Sequence, residues 1–338
     1  MILVTGGLGF IGSHTVVSLM EKGHEVLIVD DLSNSTIEVL NGIETASGNH
    51  PKFEELSLQN GEGLAKIFNN HEISGIIHFA ASKAVGESVQ KPIAYYQNNL
   101  GSLLNLLAEV EKATSPIPFI FSSSCTVYGE AKTLPITERA PIQPAISPYG
   151  NTKQVGEEIL VDTVNAIEGF RAISLRYFNP IGAHPSIAIG ELPLGKPQNL
   201  VPFITQTAAG LYPKLTVFGN DYPTPDGTNI RDYIHVVDLA EAHVVALERI
   251  MENKRGDAYE VFNLGTGKGS SVLEVIESFE RVSGKKLPYD IGARREGDVI
   301  AAYADTMKAN TVLGWKTIRT LDEAVASAWK WEKKIRGI

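Results

Sequence analysis

Short apolar runs alternate with stretches of helical periodicity through the first half of the chain. Ile2-Leu3-Val4, Val26 to Val29, Ile76 to Phe79, Phe119 to Phe121 and Ala172 to Leu175 read as strands. Between them Ile11 to Lys22, Gly61 to Asn70, Asn98 to Lys112 and Tyr149 to Ile167 read as helices. Strands that are apolar throughout need cover on both faces, so this alternation predicts an α/β fold with a doubly wound parallel sheet. After Asn179 the texture changes. Prolines and glycines crowd the span from Pro180 to Pro225 and periodicity weakens, which predicts irregular structure over a cleft. Order returns from Ile230 to Val237, with a helix from Val237 to Asn253, a strand at Val261 to Leu264, a helix near Val272 to Val282 and an amphipathic helix from Leu321 to Arg336. The chain shows no internal repeat and no low-complexity tract.

Length and charge narrow the partners. At ~150 residues per domain, 338 residues suggest about two lobes. A net charge of −9 opposes nucleic acid and anionic membrane, so a phosphate-bearing ligand must be held by local groups. The single cysteine, Cys125, allows no internal disulfide and no cysteine-based metal site, which fits a reducing cytoplasm; it reads as a small buried residue. The eight histidines lack the HxxxH spacing of a metal site, and His78 and His235 lie in strand-like runs where packing or hydrogen bonding is expected. Met1 to Val4 has no basic flank and is cut short by glycines, unlike a signal peptide, and no apolar run approaches ~20 residues.

Chemistry enters at Thr5-Gly6-Gly7-Leu8-Gly9-Phe10-Ile11-Gly12, between a predicted strand and a predicted helix. In that context Gly6 permits a tight turn, Gly9 lets backbone approach a pyrophosphate, and Gly12 allows close packing of the helix. The helix start offers free N–H groups and positive dipole to phosphates. Asp30 ends the second strand 18 residues past Gly12, where an acid accepts from ribose hydroxyls and repels a 2′-phosphate, favouring NAD over NADP. The alternatives are an ordinary glycine-rich turn and a solvated strand-end acid. A Rossmann-type first lobe over 1–180 is the expectation, with a smaller α/β lobe over 181–338 and part of 230–265 returning to the first.

A second constellation is Tyr149-Gly150-Asn151-Thr152-Lys153, some two dozen residues after Ser122-Ser123-Ser124. Pro148 suits a helix start, which puts Tyr149 and Lys153 on one face. A phenol has a reference pKa of ~10; a nearby ammonium and a positive nicotinamide ring both favour phenolate, and a drop of ~3 units requires ~4 kcal/mol. Ser124 could share or relay the proton. Tyr149, Lys153 and Ser124 are therefore the candidate catalytic residues for redox chemistry on a bound alcohol. The alternative is a surface Tyr–Lys helix pair.

Together these segments resemble the extended short-chain dehydrogenase/reductase family. Phe121-Ser-Ser-Ser-Cys-Thr-Val-Tyr-Gly129, Arg176-Tyr-Phe-Asn-Pro-Ile-Gly-Ala-His-Pro185, Phe218-Gly-Asn-Asp-Tyr-Pro223, Arg231-Asp-Tyr-Ile-His235 and Arg294-Arg-Glu-Gly-Asp298 resemble the UDP-glucose 4-epimerases within it, over nearly the whole chain. The resemblance implies a tightly held NAD contacted by Phe10, Ile11, Asp30, Asp31, Leu32, Ser33, Asn34, Ser35, Phe79, Ala80, Ala81, Lys83, Asn98, Ser122, Tyr177 and Phe178. It implies that Lys153 orients the nicotinamide ribose and acidifies Tyr149. It implies a UDP-sugar held by Asn179 at the end of the first lobe and, in the 181–338 lobe, by Asn199, Leu200, Thr216, Val217, Phe218, Arg231 and the stretch Arg295 to Asp298, and a homodimer through the helices Asn98–Lys112 and Tyr149–Ile167. On general grounds Arg231 and Arg295 also read as surface ion pairs and Phe218 as core.

Two positions depart from the family pattern. Ser57, beside Leu58 in Glu55-Leu56-Ser57-Leu58, stands where an adenine-contacting aspartate is usual, so altered adenine contacts are expected. Ala302 stands where a bulky tyrosine restricts the sugar pocket, so N-acetylated UDP-sugars are expected to fit as well. A 4,6-dehydratase would need an acid and a base directly after the hydroxyl residue, where this chain has Cys125 and Thr126. A non-catalytic NAD sensor would be expected to lack the proton-handling residues, all three of which are present.

Overall fold

The computed structural model describes residues 1–295 and 298–338; Glu296 and Gly297, within the Arg295 to Asp298 stretch, lie outside the described residues. The first half runs β1 (Ile2–Thr5), α1 (Phe10–Glu21), β2 (Val26–Asp30), α2 (Val39–Ser47), β3 (Lys52–Glu55), α3 (Gly61–Asn70), β4 (Gly75–His78), α4 (Val85–Gln90), α5 (Pro92–Lys112), β5 (Phe119–Ser124), a 3-10 turn (Cys125–Tyr128), α6 (Pro148–Ala166) and β6 (Ala172–Tyr177). The second runs β7 (Asn179–Ile181), α7 (Leu200–Ala208), β8 (Leu215–Phe218), β9 (Ile230–Arg231), β10 (Tyr233–His235), α8 (Val236–Met251), β11 (Tyr259–Leu264), β12 (Ser270–Ser271), α9 (Val272–Ser283), β13 (Tyr289–Gly292), β14 (Ala301–Ala302) and α10 (Leu321–Arg336).

Seven strands form one parallel sheet in the order β11-β6-β5-β4-β1-β2-β3. Every residue of β1, β2, β4, β5 and β6 is buried, as their apolar stretches require, including the polar residues that end β2, β4 and β5 and lie within β6. Successive side chains feed opposite faces. Val4, Ile28, Ile77 and Ile120 pack with Val16, Leu239 and Leu247 on one side. Leu3, Leu27, Ile76 and Phe119 pack with Leu64, Leu103 and Leu160 on the other. Strand order reverses between β1 and β4, and the crevice beyond the carboxyl ends of such a pair is where ligands bind in doubly wound sheets. A third core, built from Val201, Ile204, Leu215, Val217, Phe279 and Trp329, lies under α7, α9 and α10.

The expectation of irregular structure across Pro180 to Pro225 is corrected: α7 and β8 lie within it. Pro202 sits in the first turn of α7, where a missing N–H costs nothing, and β8 is only four residues of alternating burial. α5 starts at Pro92, earlier than Asn98, because proline suits the first helical position. Among the described residues no helix is long and apolar enough to cross a membrane.

Candidate active site

The glycine turn closes the end of β1. Gly6 has φ +68°, and a Cβ there would lie 2.7 Å from the backbone nitrogen of Ala80, so the loops after β1 and β4 touch at this point. A Cβ on Gly12 would lie 2.2 Å from the Gly6 carbonyl oxygen; the expected close packing of Gly12 is thus against the turn itself. Gly9 is the N-cap of α1 with no side-chain cap, and the first turn carries no acid, which leaves N–H groups and positive dipole for an anion. The fit to a dinucleotide pyrophosphate is good on these features.

Asp30 is buried and already employed. Its Oδ2 accepts from Leu8 N at 3.0 Å, and its Oδ1 from Leu32 N at 3.0 Å and Ser35 Oγ at 2.8 Å. It therefore ties the glycine turn to the loop Asp31–Ser35, and its remaining lone pairs are what a ribose could use. Asp31 accepts from Ser33, and Leu56 N donates to the Asp30 carbonyl where β2 and β3 end side by side, so Ser57 and Leu58 follow just past Asp30. Phe79 packs on His243, with ring centroids 4.7 Å apart. Beyond Ala80 and Ala81, Asn98 bonds Ser82, and Lys83 lies 3.9 Å from Glu191.

Ser147 caps α6 by accepting from Gly150 N, and this fixes Tyr149 in the first turn beside the end of β5. Lys153 is buried one turn on; its Nζ donates to the Ser122 carbonyl at 2.7 Å and sits 6.0 Å from the Tyr149 ring centroid. Ser122 also bonds the Tyr177 hydroxyl. Without the nicotinamide charge on which the expectation of an acidified phenol partly rests, burial governs both groups. Burial pushes Tyr149 up to about 12, with the Ser124 hydroxyl pulling the other way, while burial brings Lys153 down to about 8 against the pull of Glu157. Cys125 is only partly buried, and desolvation raises its thiol to about 11, which makes it a poor nucleophile.

Facing this group is the second half of the chain. β7 starts at Asn179 next to buried Phe178, and Asn179 N donates to the Asp232 carbonyl. Asn199, the N-cap of α7 before Leu200, donates its amide to Glu191 at 2.7 Å. Thr216 and Phe218 are on the exposed face of β8 and Val217 on the buried one; Phe218 is 44 % exposed, so the reading of it as core is corrected. Arg231 and Arg295 converge on Asp298, at 3.4 and 2.9 Å, and the Arg295 guanidinium lies 5.6 Å from the Phe218 ring centre. Ala302 in β14 pairs with Arg231 in β9 and joins a small cluster with Phe178 and Cys125.

The GDP-mannose 4,6 dehydratase family model matches residues 3–328. The UDP-glucose 4-epimerase of Bacillus subtilis (strain 168) is 50% identical over 331 residues, covering 98% of this chain and 96% of the relative. The chain belongs to the GDP-mannose 4,6 dehydratase family and, within it, to the UDP-glucose 4-epimerases. Two solved epimerases share its shape. That of Stenotrophomonas maltophila, with bound NAD and formylated UDP-arabinopyranose, has a TM-score of 0.96 at 44% identity, covering 99% of this chain and 98% of the other. That of Bifidobacterium longum, in complex with NAD+ and UDP, has a TM-score of 0.93 at 46% identity, covering 98% of each.

Two residues of this epimerase that the motifs did not single out hold the site together. Asp232 is fully buried and accepts from the backbone N–H groups of Thr266, Gly267 and Ala304, locking the strand that carries Arg231. Its place inside Arg231-Asp-Tyr-Ile-His235 was the available signal. Glu191 joins Lys83 to Asn199, and nothing in its local sequence marks it, since both partners are remote in the chain.

Proposed function

We propose that this chain interconverts UDP-glucose and UDP-galactose at sugar carbon 4 with a tightly held NAD. The observation that carries this reading is the meeting of Tyr149, Lys153 and Ser124 at the carboxyl end of β5, in the same parallel sheet whose β1 ends in the glycine turn, in a chain of this family. Bound NAD supplies a reversible hydride acceptor and, while oxidised, a positive ring near the phenol. Gly6, Gly9, Gly12, Phe10 and Ile11 shape its pyrophosphate site; Asp30 and the loop through Ser35 hold its ribose, with Ser57 and Leu58 beside the adenine. Phe79 to Lys83, Asn98, Ser122, Tyr177 and Phe178 complete the cofactor contacts.

Tyr149 takes the 4-hydroxyl proton as the carbon–hydrogen bond breaks, and Ser124 shares it. The 4-keto sugar stays tethered by its diphosphate, presents its other face, and receives hydrogen there while Tyr149 returns the proton. Arg231 and Arg295 bind the diphosphate, exchanging part of their hold on Asp298; Asn179, Asn199, Leu200 and Thr216 to Phe218 seat the rest of the nucleotide. Residues 1–180 form the NAD lobe and 181–338 the UDP-sugar lobe, with α8 and β11 returning to the first sheet. The purified protein should show nicotinamide absorbance and convert UDP-galactose to UDP-glucose with no cofactor added; a protein that does neither, even when given NAD, overturns the reading.

The dehydratase reading that the family model's description offers lacks its acid–base pair, since Cys125 and Thr126 occupy the turn after Ser124. The site also admits UDP-N-acetylglucosamine and UDP-N-acetylgalactosamine, because the small Ala302 side chain leaves room beside Phe178 and Cys125. Ala302→Tyr is expected to lower turnover of UDP-N-acetylglucosamine at least about tenfold and that of UDP-glucose less than threefold; equal effects in a coupled assay contradict it. We infer a homodimer through α5 and α6, whose exposed Leu104 and Val161 are apolar groups a partner would cover, and a cytoplasmic location, which the single cysteine fits.

A further inference from the structure

Behind Ser124 and Lys153 lies a buried polar cluster that the proposed mechanism has not used. Glu157 is one helical turn beyond Lys153 on α6 and is buried. Its carboxylate takes Ser123 Oγ at 2.5 Å and Arg176 Nε at 2.9 Å on one oxygen, and the Arg176 terminal nitrogen on the other. The Arg176 guanidinium stacks 4.8 Å from the centre of the Tyr128 ring, and the Tyr128 hydroxyl bonds Asn263 at 2.6 Å. Asn263 in turn donates to the Ile136 carbonyl, and Ile136 bridges to Ala304, two residues past Ala302.

Buried ion pairs can often be replaced by well-packed apolar groups at no cost in stability, so stability alone does not account for this one. Charge is useful here because of what faces it. His78 of β4 faces Lys153 and is kept neutral by burial, at about 3; Tyr149 of α6 is a neutral phenol. Around Glu157, Tyr128 and Tyr259 are neutral phenols as well, and Arg176 is the cation. Glu157 is thus the anion on the same helix face as Lys153, four residues on and buried with it, placed to oppose the loss of the ammonium proton that burial favours.

We propose that Glu157 is a positioning residue that keeps Lys153 an ammonium and, through Ser123 and Arg176, fixes the end of β5 that presents Ser124. This rests on the epimerase reading for its kinetic consequence only. The test follows the Lys153 Nζ by NMR in the full chain with side-chain-labelled lysine, its signal assigned by loss in Lys153→Arg, and compares it with the pH profile of kcat on UDP-galactose. Glu157→Gln removes a nearby unit charge; the Lys153 titration and the alkaline limb should both fall by about one pH unit. Glu157→Asp should leave both within about 0.3. Ser123→Ala strips one donor from the carboxylate and should move both upward, the opposite sign, and it decides the matter where Glu157→Gln does not fold. An unmoved Lys153 titration in the folded variants, with only a lower melting temperature, overturns the proposal. A titration that moves as stated in a protein that does not epimerise UDP-galactose leaves the proposal standing and removes the epimerase reading.

Discussion

Tyr149→Phe is expected to lower kcat for UDP-galactose conversion about a thousandfold, within the range removed with a general base, and to leave KM and bound nicotinamide nearly unchanged. The change deletes one oxygen and keeps the ring that sits in the first turn of α6. The size of the effect follows from how much the site must do for that oxygen. With burial holding the phenol at about 12, reaching neutrality takes about five units, or ~7 kcal/mol at 1.36 per unit. Lys153 is 6.0 Å from the ring centre, and a unit charge at that range is worth ~3 kcal/mol at an effective dielectric of ~20. Lysine alone supplies less than half. The remainder would come from Ser124 and from the positive charge that oxidised NAD, held by the glycine turn and Asp30, would bring near the phenol. Stopped assays on UDP-galactose check this, and a variant within tenfold of wild type assigns the proton to another group.

How much of this was legible in the residues depends on which physical signal carried each part. The buried strands announced themselves because β1, β2, β4, β5 and β6 are covered on both faces and each carries a short apolar run. The edge strand β3, Lys52-Phe53-Glu54-Glu55, is mostly exposed and carries no such run, and α7 was hidden by its proline and its short length. Glycine and tyrosine–lysine spacing is local geometry, so it could be read in one dimension. What could not be read was competition for the same groups. Asp30 was legible as an acid at a strand end, but its three donors come from residues whose approach depends on the closed loops. Tyr149 was legible as a candidate base, but the sign of its shift was not: the charge expected to lower it points at the Ser122 carbonyl, and burial dominates. Likewise Phe218 looked like core by residue type, yet the alternation of β8 puts it outward beside Arg295.

Gly12→Ala is expected to destabilise the fold by at least about 3 kcal/mol and to empty the protein of nicotinamide, whereas Gly9→Ala should empty it while leaving the fold intact. The two glycines face different things. A Cβ at residue 12 meets the Gly6 carbonyl oxygen at 2.2 Å and the Gly7 Cα at 2.9 Å, both backbone atoms. The turn cannot withdraw, since Gly6 is itself pressed on the Ala80 backbone, and Asp30 holds Leu8 from the other side. Either α1 shifts away from the sheet, opening the packing of Val16 against Val4 and Ile28, or the turn loses the shape that suits a pyrophosphate. At residue 9, φ is −69°, which alanine adopts freely, and a Cβ meets only the Gly6 carbonyl oxygen, at 3.2 Å. Its methyl would instead point where phosphate oxygens must come to the uncapped start of α1. Thermal melts should therefore separate the pair against wild type freed of its nicotinamide, with Gly12→Ala lower by at least about 4 °C and Gly9→Ala within about 2 °C, while absorbance of the purified proteins shows both without cofactor. A Gly9→Ala protein that retains nicotinamide would move the pyrophosphate away from the start of α1, and with it the placing of the dinucleotide that sets Tyr149 to work.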